Sequence, residues 1–211
     1  MDLLYTAAIA WSQLLTFRYD IICGKSKKLY PISLDFKEDE FYHLAGFPHI
    51  KDIVFPTQFP QSAMLRKVLD GTITEQMISK SEGYEKTAKS KLLAIIQLEK
   101  LLSNCSKVYM FDPKRLGFYT QIKAKYLLVD EQSQVVFLFA DTKDAGKTYF
   151  SRSTFIMDNQ DFRRNQSSMT VLQIKRTLLH IGTTEILFCR DGFSEENAAN
   201  NDTGRTVSSI I

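Results

Sequence analysis

The sequence predicts an α+β fold, with helices from its first half laid on an antiparallel sheet of four or more strands in its second. Three observations predict it. Runs rich in β-branched and aromatic residues follow one another after residue 106: K-V-Y-M-F, Q-I-K-A-K-Y-L-L-V, Q-V-V-F-L-F-A, K-T-Y-F-S-R-S-T-F-I-M and T-V-L-Q-I-K-R-T-L-L. The connectors D-P-K-R-L-G, D-E-Q-S-Q and D-T-K-D-A-G are short and carry turn residues, which fits a meander and leaves no room for βαβ crossovers. Residues 84–104 repeat Leu92, Ile95, Ile96, Glu99 and Leu102 along one helical face with lysines on the other, and that apolar stripe needs a sheet to cover.

In chain order, residues 3–15 read as an amphipathic helix and residues 1–16 as an N-terminal helical segment. Phe17–Cys23 and Leu29–Phe36 flank G-K-S-K-K and predict a hairpin. K-E-D-E-F-Y-H-L-A-G has acids at its start and Gly46 at its end, the boundary signals of a short helix. Pro48, Pro56 and Pro60 mark an extended loop. A short helix then runs from Ser62 to Leu69 and stops at Asp70-Gly71, and T-I-T-E-Q-M-I starts another with a capping pattern. The long helix of 84–104 leads into the sheet, predicted over 107–180 with residues 120–130 as one of its strands. Residues 17–190 thus form a single domain in which 47–105 is a helical insert. The Asn-, Ser- and acid-rich stretch 191–211 has little to bury and predicts a mobile tail.

The 211 residues carry a net charge of +3, but four acids and one base fall in 191–211, so the rest holds +6. That is compatible with an anionic partner without requiring one. Cys23, Cys105 and Cys189 are far apart and form no C-x-x-C pair, which argues for buried free thiols and against a zinc site or disulfide framework. The apolar N-terminus begins with an acid and is too short to span a bilayer, so the expected location is cytoplasmic, with no membrane partner.

Candidate chemistry is sparse. A-G-K-T at 145–148 ends like a phosphate-binding loop, but Asp141 stands where that motif needs glycine, and it joins two strands. His49 and His180 read as structural or solvated. His43 projects off the apolar face of its helix beside Glu40, where an imidazole can carry protons near neutral pH. Asp35, Glu38, Asp39 and Glu40 read as a helix N-terminus complementing its dipole, and no metal or cofactor constellation stands out. In K-T-Y-F-S-R-S-T-F, alternation puts Tyr149, Ser151 and Ser153 on one sheet face and Arg152 with Thr154 on the other, unless a bulge intervenes. Lys123 and Lys125 share a face of the preceding strand. Cleaving a phosphodiester without metal takes a base, an acid and cations on the developing phosphorane, and these residue types supply such parts.

D-F-K-E-D-E-F-Y-H-L-A-G-F, Q-I-K-A-K-Y-L-L and Y-F-S-R-S-T-F-I followed by V-L-Q-I-K resemble a phage- and prophage-associated domain family of the barnase–EndoU–colicin–RelE (BECR) superfamily, over roughly residues 15–180. The resemblance implies N-terminal helices on a four-stranded antiparallel sheet and RNA cleavage without metal. Carried onto this chain, it makes His43 the helix histidine, Lys123 the strand lysine, and Arg152 with Ser153 the polar pair of the third strand. Tyr149 joins Ser153 in orienting the scissile group. Two other readings stand beside this toxin-like nuclease. One is a non-catalytic phage or mobile-element protein that binds nucleic acid or a host protein. The other is an antitoxin-like partner that buries the helical insert.

Overall fold

The computed structural model describes residues 2–54, 58–105, 107–131, 135–142, 146 and 148–195. Five helices and eight strands are present among them: α1 (Leu3–Leu14), β1 (Phe17–Lys25), β2 (Lys28–Asp35), α2 (Glu40–Leu44), α3 (Met64–Leu69), α4 (Glu75–Ile78), α5 (Lys89–Asn104), β3 (Lys107–Met110), β4 (Tyr126–Asp130), β5 (Val136–Asp141), β6 (Phe150–Ile156), β7 (Ser167–Leu178) and β8 (Thr183–Cys189). A π-helical turn, Tyr84–Ala88, leads directly into α5. The architecture is α+β, as the sequence predicts.

The sheet runs in the order β2-β1-β7-β3-β4-β5-β6, every ladder antiparallel, with β8 on β7. The β1–β2 loop holds Ser26 and Lys27 at φ 48° and 62°, the paired left-handed conformation that a two-residue hairpin of this twist uses. β7 joins the halves of the chain. One edge lies along β1, while the other takes β3 on its first residues and β8 on its last six. The sheet then curls until its ends touch. Tyr149 donates its amide to Ser33 O at 2.7 Å, and Asp35 N donates to Tyr149 O at 3.3 Å.

Helices fill the inside of the curl. Trp11, Phe41, Ile95, Leu98, Leu128 and Leu138 belong to this main core. α1 and α4 cap each other: Leu3 N donates to Glu75 Oε2 at 2.5 Å, and Glu75 N donates to Asp2 Oδ2 at 3.0 Å. The outer face of β4 and β5 is also apolar, and Phe137, Phe139, Leu127 and Val129 form a second cluster there with Phe162. Y-L-L-V-D and V-F-L-F-A are near-continuous apolar runs because both of their faces are buried.

That second core explains the main correction to the sequence reading. Residues 116–125 are not the first part of a long strand. They form an irregular cover, with Leu116, Phe118 and Ile122 packed over the outer cluster, and β4 begins only at Tyr126. Lys123 is therefore an exposed loop residue and not a strand lysine. β8 was not expected, since its side chains are largely exposed on an edge strand and carry no burial signal. Cys23 and Cys105 are buried as expected, but Cys189, on β8, is exposed. Of the expected tail, 191–195 form a turn that ends with Glu195 on Lys175 at 2.6 Å; residues 196–211 lie outside the described residues. Ala145 and Lys147 of A-G-K-T also lie outside them, and the segment connects β5 to β6.

Two glycines let the segment after α2 sit against the start of α5. A Cβ on Gly83 would stand 2.0 Å from His49 O. On Gly46, at φ 86°, it would stand 2.8 Å from Ala88 Cα. Gly71 has a similar φ of 76° with nothing within 4 Å, and so isolates the conformational term. Gly71→Ala is expected to cost about 1–2 kcal/mol, the left-handed penalty alone. Gly46→Ala should cost about 1–3 kcal/mol more through overpacking. Urea unfolding of both variants checks the difference, and equal losses would show that Gly46 is kept for φ only.

Candidate functional site

Where the two ends of the sheet meet, a cleft of about 760 Å³ opens. One wall comes from the end of β2 and from α2, which contribute Asp35, Glu40 and His43. The other comes from the start of β6 and from α5, with Tyr149, Arg152, Ser153 and Lys91. α2 is held in place from inside the fold: Trp11 Nε1 donates to Lys37 O at 3.2 Å, and its ring meets Phe36 and Phe41.

The cationic wall centres on Lys91. Its side chain is buried, and its ammonium donates to Ser153 Oγ at 3.0 Å and lies 3.5 Å from Thr154 O. Burial alone brings its pKa down to about 8. No carboxylate appears among the causes of that shift, and the contacts of the ammonium are the neutral oxygens of Ser153 and Thr154. Arg152 stands exposed at the rim because β6 bulges there: Phe139 faces Ser153 and Ala140 faces Ser151, leaving Arg152 without a partner position. The bulge also separates Ser151 from Ser153, which the simple alternation placed on one face. Ser151 stays on the helix side of the sheet, and Ser153 turns outward to meet Lys91 around the sheet edge. Tyr149 is buried, with its hydroxyl 3.2 Å from Lys125 Nζ.

The opposite wall is acidic and poorly solvated. Desolvation, with a smaller push from Asp39, raises Glu40 to about 7, while the Lys37 and Ser151 amides pull the other way. Glu40 Oε2, Asp35 Oδ1 and Ser151 Oγ are buried atoms with no hydrogen-bond partner in the protein, and all three residues line the cleft. His43 is exposed one turn along from Glu40, its ring edge-on to Tyr42 at 5.3 Å. Burial, then the charges of Lys91 and Lys51, hold the His49 imidazole below its usual range.

Of the residues singled out from the sequence, His43, Tyr149, Arg152 and Ser153 line the cleft. Lys123 is not among its lining residues, although its neighbours Gln121 and Ile122 are. Two groups with near-neutral titration were missed. In sequence Glu40 reads as a helix-dipole acid, but α2 packs against β6 and the carboxyl is desolvated there. Lys91 was counted with the solvent-facing lysines. Its signal was its register: 91, 95, 98 and 102 share one face, and the other three are buried leucine and isoleucine. Among the described residues no three His, Cys, Asp or Glu side chains are grouped to hold a metal ion. No described helix is long and apolar enough to cross a membrane.

A family model described as phage-Barnase-EndoU-ColicinE5/D-RelE like nuclease4 matches residues 3–188, from α1 through nearly all of β8. No curated protein and no solved structure matches the chain.

Glu40 and Lys91 make opposite demands on pH. A carboxyl that binds its proton more tightly when folded adds stability below pH 4.5, which is lost as pH rises through 7. A buried amine with a depressed pKa adds stability above pH 10.5, which is lost as pH falls through 8. Glu40→Gln is therefore expected to stabilise the protein by roughly 1–3 kcal/mol at pH 8 and by little at pH 4. Lys91→Met should stabilise by a similar roughly 1–3 kcal/mol at pH 7, with the gain shrinking toward pH 10.5. Urea midpoints across that range check both. Destabilisation by either variant at pH 7–8 would mean that these charges are compensated within the fold.

Proposed function

We propose that this chain, which belongs to the phage-associated nuclease family of the barnase–EndoU–colicin–RelE superfamily, is an RNA endonuclease that works without a metal ion. One observation carries the reading: a buried, unneutralised Lys91 faces the same cleft as Glu40 and His43. A phosphodiester bound at Lys91 and Ser153 presents its neighbouring 2′-hydroxyl to the acidic wall. The hydroxyl oxygen attacks phosphorus as its proton passes to the Glu40 carboxylate. The bond from phosphorus to the 5′ oxygen breaks, and that oxygen takes a proton from His43. Products are a 2′,3′-cyclic phosphate and a 5′-hydroxyl. Lys91 and Arg152 offset the charge that builds on the phosphorane, and Ser153 with Tyr149 orients the scissile group. Lys123 has no part in this scheme.

A second reading, binding of nucleic acid or of a phage or host protein without cleavage, has one observation in its favour. His43, the acid of the scheme above, is exposed on a short helix with the Tyr42 ring in edge contact, as a nucleic-acid-contacting side chain on a rim also would be. Total cellular RNA and tRNA-like structured substrates decide between the two.

Wild type is expected to cut in the presence of EDTA and to leave cyclic phosphate ends. Glu40→Gln and His43→Ala should each lower the single-turnover rate by about 10²–10⁴-fold, and Arg152→Ala by about 10²–10³-fold. Melting curves confirm that each variant is folded. Full activity of Glu40→Gln, or products carrying 5′-phosphates, rejects the mechanism. RNA bound tightly and left intact by wild type favours the binding reading.

A further inference from the structure

A smaller pocket of about 280 Å³ adjoins the cleft and shares His49, Lys91, Ile122 and Ser153 with it. Lys91 and Ser153, the pair assigned to phosphate, thus form the common wall of two cavities. The second cavity differs in chemistry. Phe155, Phe162, Ile122 and Ile156 line it, with Thr87, Asp158 and Gln160 at its polar margin. Phe155 is only half-buried, and its ring is fixed by Phe139, which stacks on it at 5.5 Å, and by Phe162 of the same lining, which meets it edge-on at 5.2 Å. The Lys91 ammonium lies over the face of the same ring, 5.9 Å from its centre, so phosphate and base would meet at one lysine. Thr87 reaches the margin from the π-helical turn, a wide turn of the kind that recurs at functional sites.

Resting on the nuclease reading above, we propose that this pocket is the subsite for the nucleobase attached to the phosphate held at Lys91. A base is a flat ring with one polar edge. A rigid phenyl wall suits its face, and a carboxylate, a carboxamide and a hydroxyl suit its edge. The size agrees: the volume falls just under the roughly 300–1,000 Å³ that holds a drug-sized ligand, which leaves room for one ring system and no extended chain. The shared lysine links the two halves of a nucleotide, its phosphate in the cleft and its base beside Phe155. The substrate it implies is a nucleotide whose base is unstacked and turned into the protein, found in a single-stranded segment or loop and not in the interior of a duplex.

Binding of the four 3′-nucleoside monophosphates and of inorganic phosphate tests this, by calorimetry on the full chain, in wild type, Thr87→Trp, Gln160→Ala and Lys91→Met. At least one nucleotide is expected to bind about tenfold or more tighter than phosphate, toward the lower end of what stacking on one aromatic contributes. Thr87→Trp fills the pocket and Gln160→Ala removes an edge contact. Both should bring that nucleotide toward the affinity of phosphate while leaving phosphate itself unchanged. Nucleotides and phosphate binding equally, and both lost in Lys91→Met, would overturn the base subsite and leave the phosphate site standing. A preference for nucleotides that survives in Thr87→Trp and Gln160→Ala would place the base elsewhere and also overturn it. No binding of phosphate or nucleotide to wild type would remove the phosphate site, and with it the subsite.

Discussion

Two backbone hydrogen bonds hold the ends of the sheet together, Tyr149 N to Ser33 O and Asp35 N to Tyr149 O. The arrangement of the cleft depends on them. β2 runs out into the segment that carries Glu40 and His43, and Tyr149 leads into the strand that carries Ser151, Arg152 and Ser153. These groups are more than a hundred residues apart in sequence, and no local propensity would bring them together. An open sheet would leave α2 and β6 at opposite rims, the acidic residues facing water on one side and the cations on the other. Curling is the ordinary consequence of strand twist accumulated over many strands. Here it has a chemical result, because it sets carboxyls opposite ammonium and guanidinium groups across a space that neither set fills.

That space is expensive to maintain. Burial works against both charge types, moving Glu40 toward its neutral acid and Lys91 toward its neutral amine. The two shifts bring groups that ordinarily titrate far apart to within a small interval around neutral pH. For Lys91 burial is the whole cause; for Glu40 it is the largest, with a smaller push from Asp39. Apolar packing on both sides of β4 and β5 offsets that cost.

Much of this architecture was legible in the sequence. The hairpin, the small helices and the long helix of 84–104 are local objects with local signals: turn residues, caps and a 3.6-residue repeat. The four main strands of the second half were legible for the same reason. Residues 116–125 were not, because their apolar side chains match a strand in composition while they serve as a lid over the outer face of the sheet. The continuous apolar character of β4 and β5 was the available clue, since strands with one wet face alternate and these do not. At the cleft, the residues that stood out were those of unusual type for their surroundings, His43, Arg152 and Ser153. Glu40 and Lys91 escaped because acids at helix starts and lysines on helices are commonplace. Only tertiary packing makes them exceptional, and of the two only Lys91 left a trace, in the phase of its helix.

The position of β7 has a consequence in time. Among the described residues it is the one strand that forms a ladder with both the N-terminal hairpin, through β1, and the meander, through β3. A chain leaving the ribosome has made the end of β2, α2, α5 and β6, which carry the two walls of the cleft, before it has made β7 at residues 167–178. Until β7 is released, the ladders that join hairpin to meander through β1 and β3 are missing. Non-local pairing of this kind forms late, after long loops have been gathered in. All the parts of the cleft therefore exist well before the cleft does. Topology thus sets the order of events: the cleft is completed only once almost the whole domain has been translated.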